Sequence, residues 1–328
     1  MMKYGVFAEV AKEKIKDFLP ERYQNLDVEL VSVDKVNRTL DGLTFRDRSK
    51  ELNVSPNIYL EGAYERYRKS EDLNAVLSQL AVTAAEALDS ARNYSGRDFR
   101  ENMTDDRIYY QLVNTEQNRE FLNDKPSREY MDMSIIYRYM IGNDMAGVSS
   151  VIITDELAEE KGLTEERMFE LAQKNTKELF PIKVSSLMDV LAAMMKEQGM
   201  PDEVAEAMMV SAEAETPMYV VSNDMGIAGS SAILYDNALQ PLAEKFGSDL
   251  YILPSSIHEV LAVPVSAGID PEELSEMVQQ VNGSEVPLED RLSNNVYLYD
   301  KDARELSMAT DVPERRLDDF EPEMSHNL

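Results

Sequence analysis

Residues 254–259 hold the densest group of chemically useful side chains in the sequence. The hydroxyls of Ser255 and Ser256 are followed by the imidazole of His258 and the carboxylate of Glu259. A serine nucleophile needs a base within hydrogen-bonding reach, and that base needs an acid to orient it. Ser256 and His258 would share one face of a strand, because side chains two positions apart point the same way. We interpret the segment as a candidate ligand site, with a hydrolase-like centre and a purely structural histidine as the alternatives.

Three further polar side chains stand just beyond predicted strands. Asn114 follows a strand predicted over residues 107–113, and Asn223 and Asp224 follow one predicted over residues 219–221. Loops at strand ends often carry binding residues, which makes these side chains additional candidates for a ligand site. The alternative is that they cap turns, because Asn and Asp readily hydrogen-bond nearby backbone groups.

The sequence holds no recognisable phosphate-binding, dinucleotide-binding or nucleophile-elbow motif. His258 and Glu259 resemble the beginning of a zinc-protease helix motif, but Ala262 stands where the second His should be. The other histidine, His326, lies in a polar tail that we expect to fray. Cysteine is absent, which excludes disulfides, thiolate catalysis and thiolate-bound metal clusters. We therefore assign no catalytic residue, no metal ligand and no cofactor.

Hydrophobic periodicity predicts short strands and amphipathic helices that do not follow a strict β-α-β order. This pattern favours an α+β fold, with mixed or mainly antiparallel sheets and helices packed on one face, in two or three modules. We expect an N-terminal α-β-β-β-α-α module over residues 1–95, a middle α+β module over 106–212, a C-terminal α+β module over 213–312 and a flexible tail over 313–328.

The middle module is expected to end in a methionine-rich pair of helices. Its earlier elements are strands at 107–113, 133–140 and 148–153, then helices that begin near Thr154 and Thr164. Residues 187–212 follow with six Met residues, and the break at 199–201 predicts a helical hairpin. Flexible Met side chains would pack a core between these helices, and the alternative is a soft groove for a ligand or partner.

The C-terminal module is expected to hold residues 254–256 in a connection between two paired strands. Its predicted strands are 219–221, 232–235, 250–253, 260–263, 296–299 and 305–308, and its predicted helices are 236–246 and one that begins at Asp270. Asp270 would be the capping residue of that second helix, with Pro271 at the first helical position.

The charge of the chain limits its partners. The formal net charge is −29, and the residues from Val151 onward carry 36 acidic and 12 basic side chains. A field of this sign repels nucleic-acid phosphates and anionic lipid, so we expect no direct nucleic-acid binding and no membrane association. The absence of cysteine, of an apolar signal region and of a long apolar run favours the cytoplasm. The acidity serves solubility or attracts a basic partner.

The run Ile-Leu-Pro-Ser-Ser-Ile-His-Glu at residues 252–259 is fairly specific, and together with the runs at 56–60, 107–114, 221–224 and 229–236 it marks a resemblance. The chain resembles a family of uncharacterised proteins of clostridial-type, often gut-dwelling, Firmicutes, over nearly its whole length except the tail. The last module is more distantly similar to another uncharacterised, Bacillus-type family. The resemblance implies a bacterial, cytoplasmic setting and no activity, so it carries over no functional residue.

These observations support three hypotheses. The first is an intracellular, non-enzymatic interaction or regulatory protein whose acidic surface binds a basic protein partner. The second is a small-molecule-binding protein or hydrolase-like enzyme centred on residues 254–259. The third is an acidic mimic of DNA, which would need acidic side chains at phosphate-like spacing on one surface. The sequence does not indicate an oligomeric state.

Overall fold

The computed structural model describes residues 1–46, 55–93, 100–144, 147–197, 199–200, 217–235 and 238–311. The chain divides into two compact units, Met1–Met103 and Thr104–Leu328. Both contain helices and antiparallel strand pairs, which confirms the predicted α+β fold with several sheets. The expected tail over 313–328 and the second arm of the methionine-rich hairpin lie outside the described residues.

The first unit is built from a three-stranded antiparallel sheet and amphipathic helices. Its strands are β1 (Asp27–Lys35), β2 (Arg38–Arg46) and β3 (Asn57–Tyr59), and its helices are Tyr4–Phe18, Glu61–Ser70 and Leu73–Asn93. The sheet order is β1-β2-β3. The apolar faces meet in one core, in which Phe7, Leu43 and Leu77 are completely buried.

The second unit begins with a four-stranded antiparallel sheet. Its strands are β4 (Ile108–Asn114), β5 (Ser127–Tyr130), β6 (Met133–Asp144) and β7 (Gly147–Ile152). β6 is central, because β4 pairs along one edge while β5 and β7 share the other. The helices Asp155–Lys161 and Glu165–Leu179 follow. They begin as predicted, because the hydroxyls of Thr154 and Thr164 accept hydrogen bonds from backbone N–H groups of the first turns.

A six-stranded antiparallel sheet completes the second unit. In the order β13-β12-β10-β11-β9-β8, its strands are β13 (Glu305–Met308), β12 (Tyr297–Asp300), β10 (Leu250–Leu253), β11 (Val260–Pro264), β9 (Tyr219–Asn223) and β8 (Ile182–Ser186). The helices Leu187–Glu197, Gln240–Phe246 and Pro271–Ser284 lie between these strands in sequence. No described helix is both long and apolar enough to cross a membrane.

Strand β8 joins parts of the chain that the sequence places in different modules. β8 lies within the expected middle module, and it pairs with β9 of the expected C-terminal module. Polar bonds reinforce this union: Asp132 accepts hydrogen bonds from Ser293 Oγ at 2.6 Å, from Asn295 Nδ2 at 3.1 Å and from the Tyr297 hydroxyl. Since Asp132 lies in the turn between β5 and β6, these bonds attach the first sheet of the unit to the segment that enters β12.

The predicted strand at 232–235 is wrong, because the chain forms a 3-10 helix over Gly229–Leu234 there. The apolar run is short and mostly buried, so its pattern does not distinguish strand from helix. Tertiary contacts decide the conformation. Both the backbone N–H and the hydroxyl of Ser230 donate to the carbonyl of Ile257, at 3.3 Å and 2.9 Å.

Gly229 packs so closely that a side chain cannot be added there. A Cβ atom at this position would overlap the carbonyl oxygen of His258 and Oγ of Ser222. We expect Gly229→Ala to lower the free energy of unfolding by about 3 kcal/mol, because the obstacle includes backbone. Gly268→Ala is the matched control: its Cβ meets open space, so only the left-handed backbone conformation should cost about 1 kcal/mol.

Urea denaturation followed by circular dichroism measures both free energies. Equal losses in the Gly229 and Gly268 variants would contradict the close approach of the 3-10 helix to His258.

Candidate functional site

The segment that connects β10 to β11 uses its serine groups to hold a turn. Oγ of the buried Ser256 accepts a hydrogen bond of 3.0 Å from the backbone N–H of His258. The carbonyl of Ser255 accepts one of 3.1 Å from the N–H of Leu292. Ser256 also forms an isolated antiparallel bridge with Arg291. In this arrangement the Ser256 hydroxyl stabilises the backbone, as short-range bonds of serine side chains commonly do.

The imidazole of His258 is paired with an acid that sequence reasoning missed. Nε2 of His258 lies 3.2 Å from Oδ1 of Asp290, and the two side chains are 40% and 27% exposed. Glu259, the acid that follows in the sequence, is exposed. The carbonyl of His258 accepts a hydrogen bond of 2.7 Å from Ser222 Oγ. His258 therefore attaches the β10–β11 connection to Asp290 through its ring and to Ser222 of β9 through its backbone carbonyl.

The three polar candidates at strand ends each bond to neighbouring backbone or charge. Oδ1 of Asn223 accepts from the N–H groups of Met225 and Ile227, at 3.0 and 3.4 Å, which closes the turn after β9. Asp224 is exposed, and its carboxylate lies 3.5 Å from the ammonium of Lys183.

Asn114, at the end of β4, is almost completely buried. Its Oδ1 accepts from the N–H of Gln117 at 2.9 Å, and its Nδ2 donates to the carbonyl of Leu292 at 3.0 Å. The N–H of Leu292 also donates to the carbonyl of Ser255. Asn114 and Ser255 therefore both bond to the backbone of Leu292. These bonds cap turns and connect sheets, as short polar side chains beside turns commonly do.

A cavity of about 400 Å³ lies elsewhere in the second unit, and sequence reasoning missed it. Its walls come from β4, β5 and β6, from the helix Glu165–Leu179, from the 3-10 helix Gly229–Leu234 and from the β12–β13 hairpin. Five aromatic residues line it: Tyr110, Tyr130, Phe169, Tyr235 and Tyr299. Arg128, Arg304 and Gln173 contribute polar groups, and aliphatic side chains such as Ile135 and Leu306 complete the lining. A concave, mainly apolar site with a few polar groups is the usual form of a small-molecule site.

The aromatic walls are held in place by hydrogen bonds. The Tyr235 hydroxyl lies 3.3 and 3.2 Å from the carbonyls of Thr176 and Phe180, at the end of the helix Glu165–Leu179. The Tyr299 hydroxyl donates to Oε1 of Gln240 at 2.9 Å. Burial raises the pKa of Tyr235 above its usual value, so this hydroxyl stays neutral at physiological pH. The cavity therefore has preformed, uncharged aromatic walls.

Arg128 is fixed at the cavity wall by an acid and an aromatic ring. Its Nε and Nη2 atoms donate to the two carboxylate oxygens of Glu165, at 3.0 and 2.8 Å, in a bidentate pair. The guanidinium carbon lies 3.9 Å from the ring centroid of Phe169, which is a cation–π contact. The Tyr137 hydroxyl also donates to Glu165.

These bonds shift the pKa values of the group in a consistent direction. Burial acts to raise the pKa of Glu165, but the hydrogen bonds from Arg128 and Tyr137 outweigh it, so the pKa lies below its ordinary value. The hydrogen bond to Glu165 raises the pKa of Arg128 against the effect of burial. Burial, and then the bond to Glu165, raises the pKa of Tyr137. At neutral pH the pair is therefore an arginine cation held by a carboxylate anion.

The described part of the chain holds no group of three or more His, Asp or Glu side chains that could bind a metal ion. Among the described lining residues of the cavity, none is acidic. The charged groups among these described lining residues are Arg128 and Arg304, and a partner that bonds to a guanidinium would be an anion or a neutral acceptor.

The fold and these sites define an α+β protein of two units whose second unit contains an aromatic cavity. The chain belongs to a family of unknown function, DUF5688, whose sequence profile matches residues 4–301. This match confirms the resemblance to an uncharacterised family. Comparison with curated proteins and with solved structures found no match. Since the family has no assigned activity, the family match indicates no function, and the geometry of the cavity is the remaining guide to it.

We expect Glu165→Gln to lower the free energy of unfolding at pH 7 by about 1–3 kcal/mol, because it removes a charged acceptor shared by two donors. The lowered folded-state pKa of Glu165 means that its stabilising effect is full above the ordinary value of 4.5 and is lost as the pH falls through the folded-state pKa. The gap between wild type and variant should therefore stay constant from pH 7 to about pH 5 and narrow below pH 4.5.

Urea denaturation at a series of pH values measures this gap. Glu166→Gln is the control, since Glu166 is 77% exposed and lies 3.5 Å from Arg128, so its loss at pH 7 should not exceed about 0.5 kcal/mol. A gap that does not change with pH would show that Glu165 does not act as a charged acceptor.

Proposed function

We propose that this protein is a non-enzymatic binding protein, whose second unit holds a small organic molecule in the cavity between its sheets. The observation that carries the proposal is the cavity itself, with about 400 Å³ of space and an aromatic lining. Small-molecule sites in proteins are usually of this volume class and largely formed before the ligand arrives. The hydrogen bonds of Tyr235 and Tyr299 support such preorganisation.

Binding is favoured over catalysis by the chemistry of the cavity lining. General acid–base catalysis needs a group whose pKa lies near the working pH. The titratable groups among the described lining residues are tyrosines and arginines, and burial moves the pKa values of Tyr130 and Tyr235 further above neutrality. These groups can orient and hold a ligand, and they are poor proton carriers at neutral pH. The absence of cysteine supports a reducing, cytoplasmic setting for this function.

A second candidate function is the binding of a basic protein partner. The residues from Val151 onward carry 36 acidic and 12 basic side chains, which favours attraction of a positively charged surface. The helix Pro271–Ser284 adds a specific feature, because Met277 and Val281 are 40% and 38% exposed beside the exposed acids Glu273 and Glu276. Exposed apolar groups with charged neighbours are typical of interaction surfaces.

The third hypothesis, a mimic of DNA, has less support in the charge arrangement. In the second unit many acids pair with cations, as in Arg167 with Asp105 and Glu170, and Lys183 with Asp224. Acids interleaved with cations do not present the unbroken negative field of a phosphate backbone. We therefore do not propose this function.

The cavity proposal predicts the behaviour of N-phenyl-1-naphthylamine, an uncharged aromatic probe whose fluorescence rises in apolar sites. We expect wild-type protein to bind it, and Gln173→Trp to weaken binding by about tenfold or more, because an indole would occupy part of the cavity. Lys174→Trp is the matched control, since Lys174 is exposed on the same helix and lies outside the cavity lining.

The chain contains no natural Trp, so each variant carries a single indole. Energy transfer from the indole of the Lys174→Trp control to the bound probe would place the probe beside the cavity. Absence of binding by the wild type, or equal binding by both variants, would overturn the proposed function.

The interaction candidate makes a separate prediction. Replacing Glu273 and Glu276 together by Gln should abolish the salt-sensitive part of binding to a basic partner, because these acids lie beside the exposed Met277 and Val281. Replacing the exposed Glu159 and Glu178 by Gln gives the same change of net charge on other helices. The affinity of each double variant for the basic protein lysozyme is measured at two salt concentrations. Equal affinities of the two double variants would count against this surface.

A further inference from the structure

The described lining residues of the cavity differ in charge from the acidic chain to which they belong. From Val151 onward acids outnumber bases by three to one, yet the described lining residues include two arginines and no acid. The arginines come from separate elements: Arg128 lies in β5, and Arg304 lies in the turn of the β12–β13 hairpin. Glu165 holds the guanidinium of Arg128 at the cavity wall in an ion pair, so a ligand anion would bind this cation as a second acceptor.

Arg128 is oriented in a way that leaves part of its guanidinium for a second acceptor. The guanidinium carries five N–H donors in a rigid fork. The two bonds to Glu165 use Nε and one N–H of Nη2, on one edge of the group. The donors on the Nη1 side are not used by these bonds, and Arg128 belongs to the cavity lining. Glu165 therefore acts as a positioning residue that fixes the direction of the remaining donors.

The aromatic lining favours a ligand with flat rings. Phe169 stacks on Arg128, and Tyr110 and Tyr235 lie with their ring centroids 6.4 Å apart and tilted by 47°. A flat ring makes favourable stacked or edge contacts with such side chains, beyond its area burial. The same walls give an alkyl chain no comparable directional contact.

We infer that the ligand of this cavity is an aromatic anion, a molecule of one or two flat ring systems with a carboxylate or sulfonate group that binds Arg128. The inference rests on the proposed function and adds the class of ligand and the residue that selects it. Arg128 is the specificity-determining residue, and Glu165 positions it.

Two fluorescent probes with the same ring skeleton test the inference. The anion 8-anilino-1-naphthalenesulfonate carries a sulfonate that N-phenyl-1-naphthylamine lacks, and both are titrated into the full chain. We expect wild type to bind the anion more tightly than the neutral probe, and Arg128→Gln to weaken the anion by about tenfold or more while changing the neutral probe by less than about twofold. Retained binding of the neutral probe also shows that the cavity of the variant is intact.

Three further variants separate the recognition of the anion by Arg128 from the effect of net charge and from the positioning role of Glu165. Arg167→Gln removes one positive charge from the helix Glu165–Leu179 outside the cavity lining, and it should leave both probes unchanged. Glu165→Gln should reduce the preference for the anion by a smaller factor than Arg128→Gln, and the preference of Glu165→Asp should lie closer to that of wild type, because a carboxylate is kept.

The outcomes for the two proposals are distinguishable. If the neutral probe binds in the cavity and the anion binds no more tightly, the ligand class is wrong while the proposed function stands. An equal loss of anion binding in the Arg128 and Arg167 variants would also overturn the inference, because it would indicate net charge alone. If Gln173→Trp leaves both probes bound, the cavity is not the site and the proposed function fails.

Discussion

The second unit depends on the close approach of a buried 3-10 helix to the backbone of its neighbours. Gly229 can lie against the carbonyl of His258 because it has no Cβ atom. Ser230 then bonds to Ile257, and Tyr235 reaches the carbonyls of Thr176 and Phe180 on the helix Glu165–Leu179. A side chain at position 229 would push this whole segment away, and the wall that Ile233 and Tyr235 contribute to the cavity would move with it. The absence of a Cβ atom at Gly229 thus permits the close packing of the segment that supplies this wall of the cavity.

The second constraint is the satisfaction of buried polar groups where the two sheets of the unit meet. Asp132, buried to an intermediate degree, would be costly there without donors, and Ser293, Asn295 and Tyr297 supply three. Asn114 does the same for the carbonyl of Leu292. Directional bonds of this kind fix the relative placement of elements more sharply than apolar contacts, which tolerate sliding. They explain why a cavity between elements of different sheets can keep a defined shape.

Helix starts and one strand pair could be predicted from the sequence because their signals are local. The helix starts at Thr154, Thr164 and Asp270 are predictable because the Ncap pattern is local, and the pairing of β10 with β11 follows from two apolar runs around a short connection. β5 escapes prediction because its residues, Ser-Arg-Glu-Tyr, are polar, and β8 because three of its five residues are exposed. β5 lacks the alternation on which the prediction relies, and in β8 only Ile182 and Val184 alternate with polar residues, which is too short a pattern to predict a strand.

The site required information that no local pattern contains. Asp290 lies 32 positions from His258 in sequence, and only the folded backbone brings the two side chains together. The cavity residues extend from Tyr110 to Leu306. Composition held no signal for Arg128, because it lies in the first 150 residues, which carry 21 basic and 26 acidic side chains.

The acidity of the chain and the arginines of the cavity act over different distances. Exposed acids create a field that repels an approaching anion, but at physiological ionic strength this field decays within about 8 Å. Inside the cavity the screening is weaker, and the guanidinium of Arg128, held by Glu165, would attract an anion through directional hydrogen bonds from its remaining donors. Under the proposed function, the surface would slow the entry of anions in general, and the cavity would retain those whose rings fit the aromatic walls. Selectivity would arise because an anion needs both the bond to Arg128 and the contact with the aromatic rings to offset the repulsion by the surface acids. A simple inorganic ion gains only the bond to Arg128.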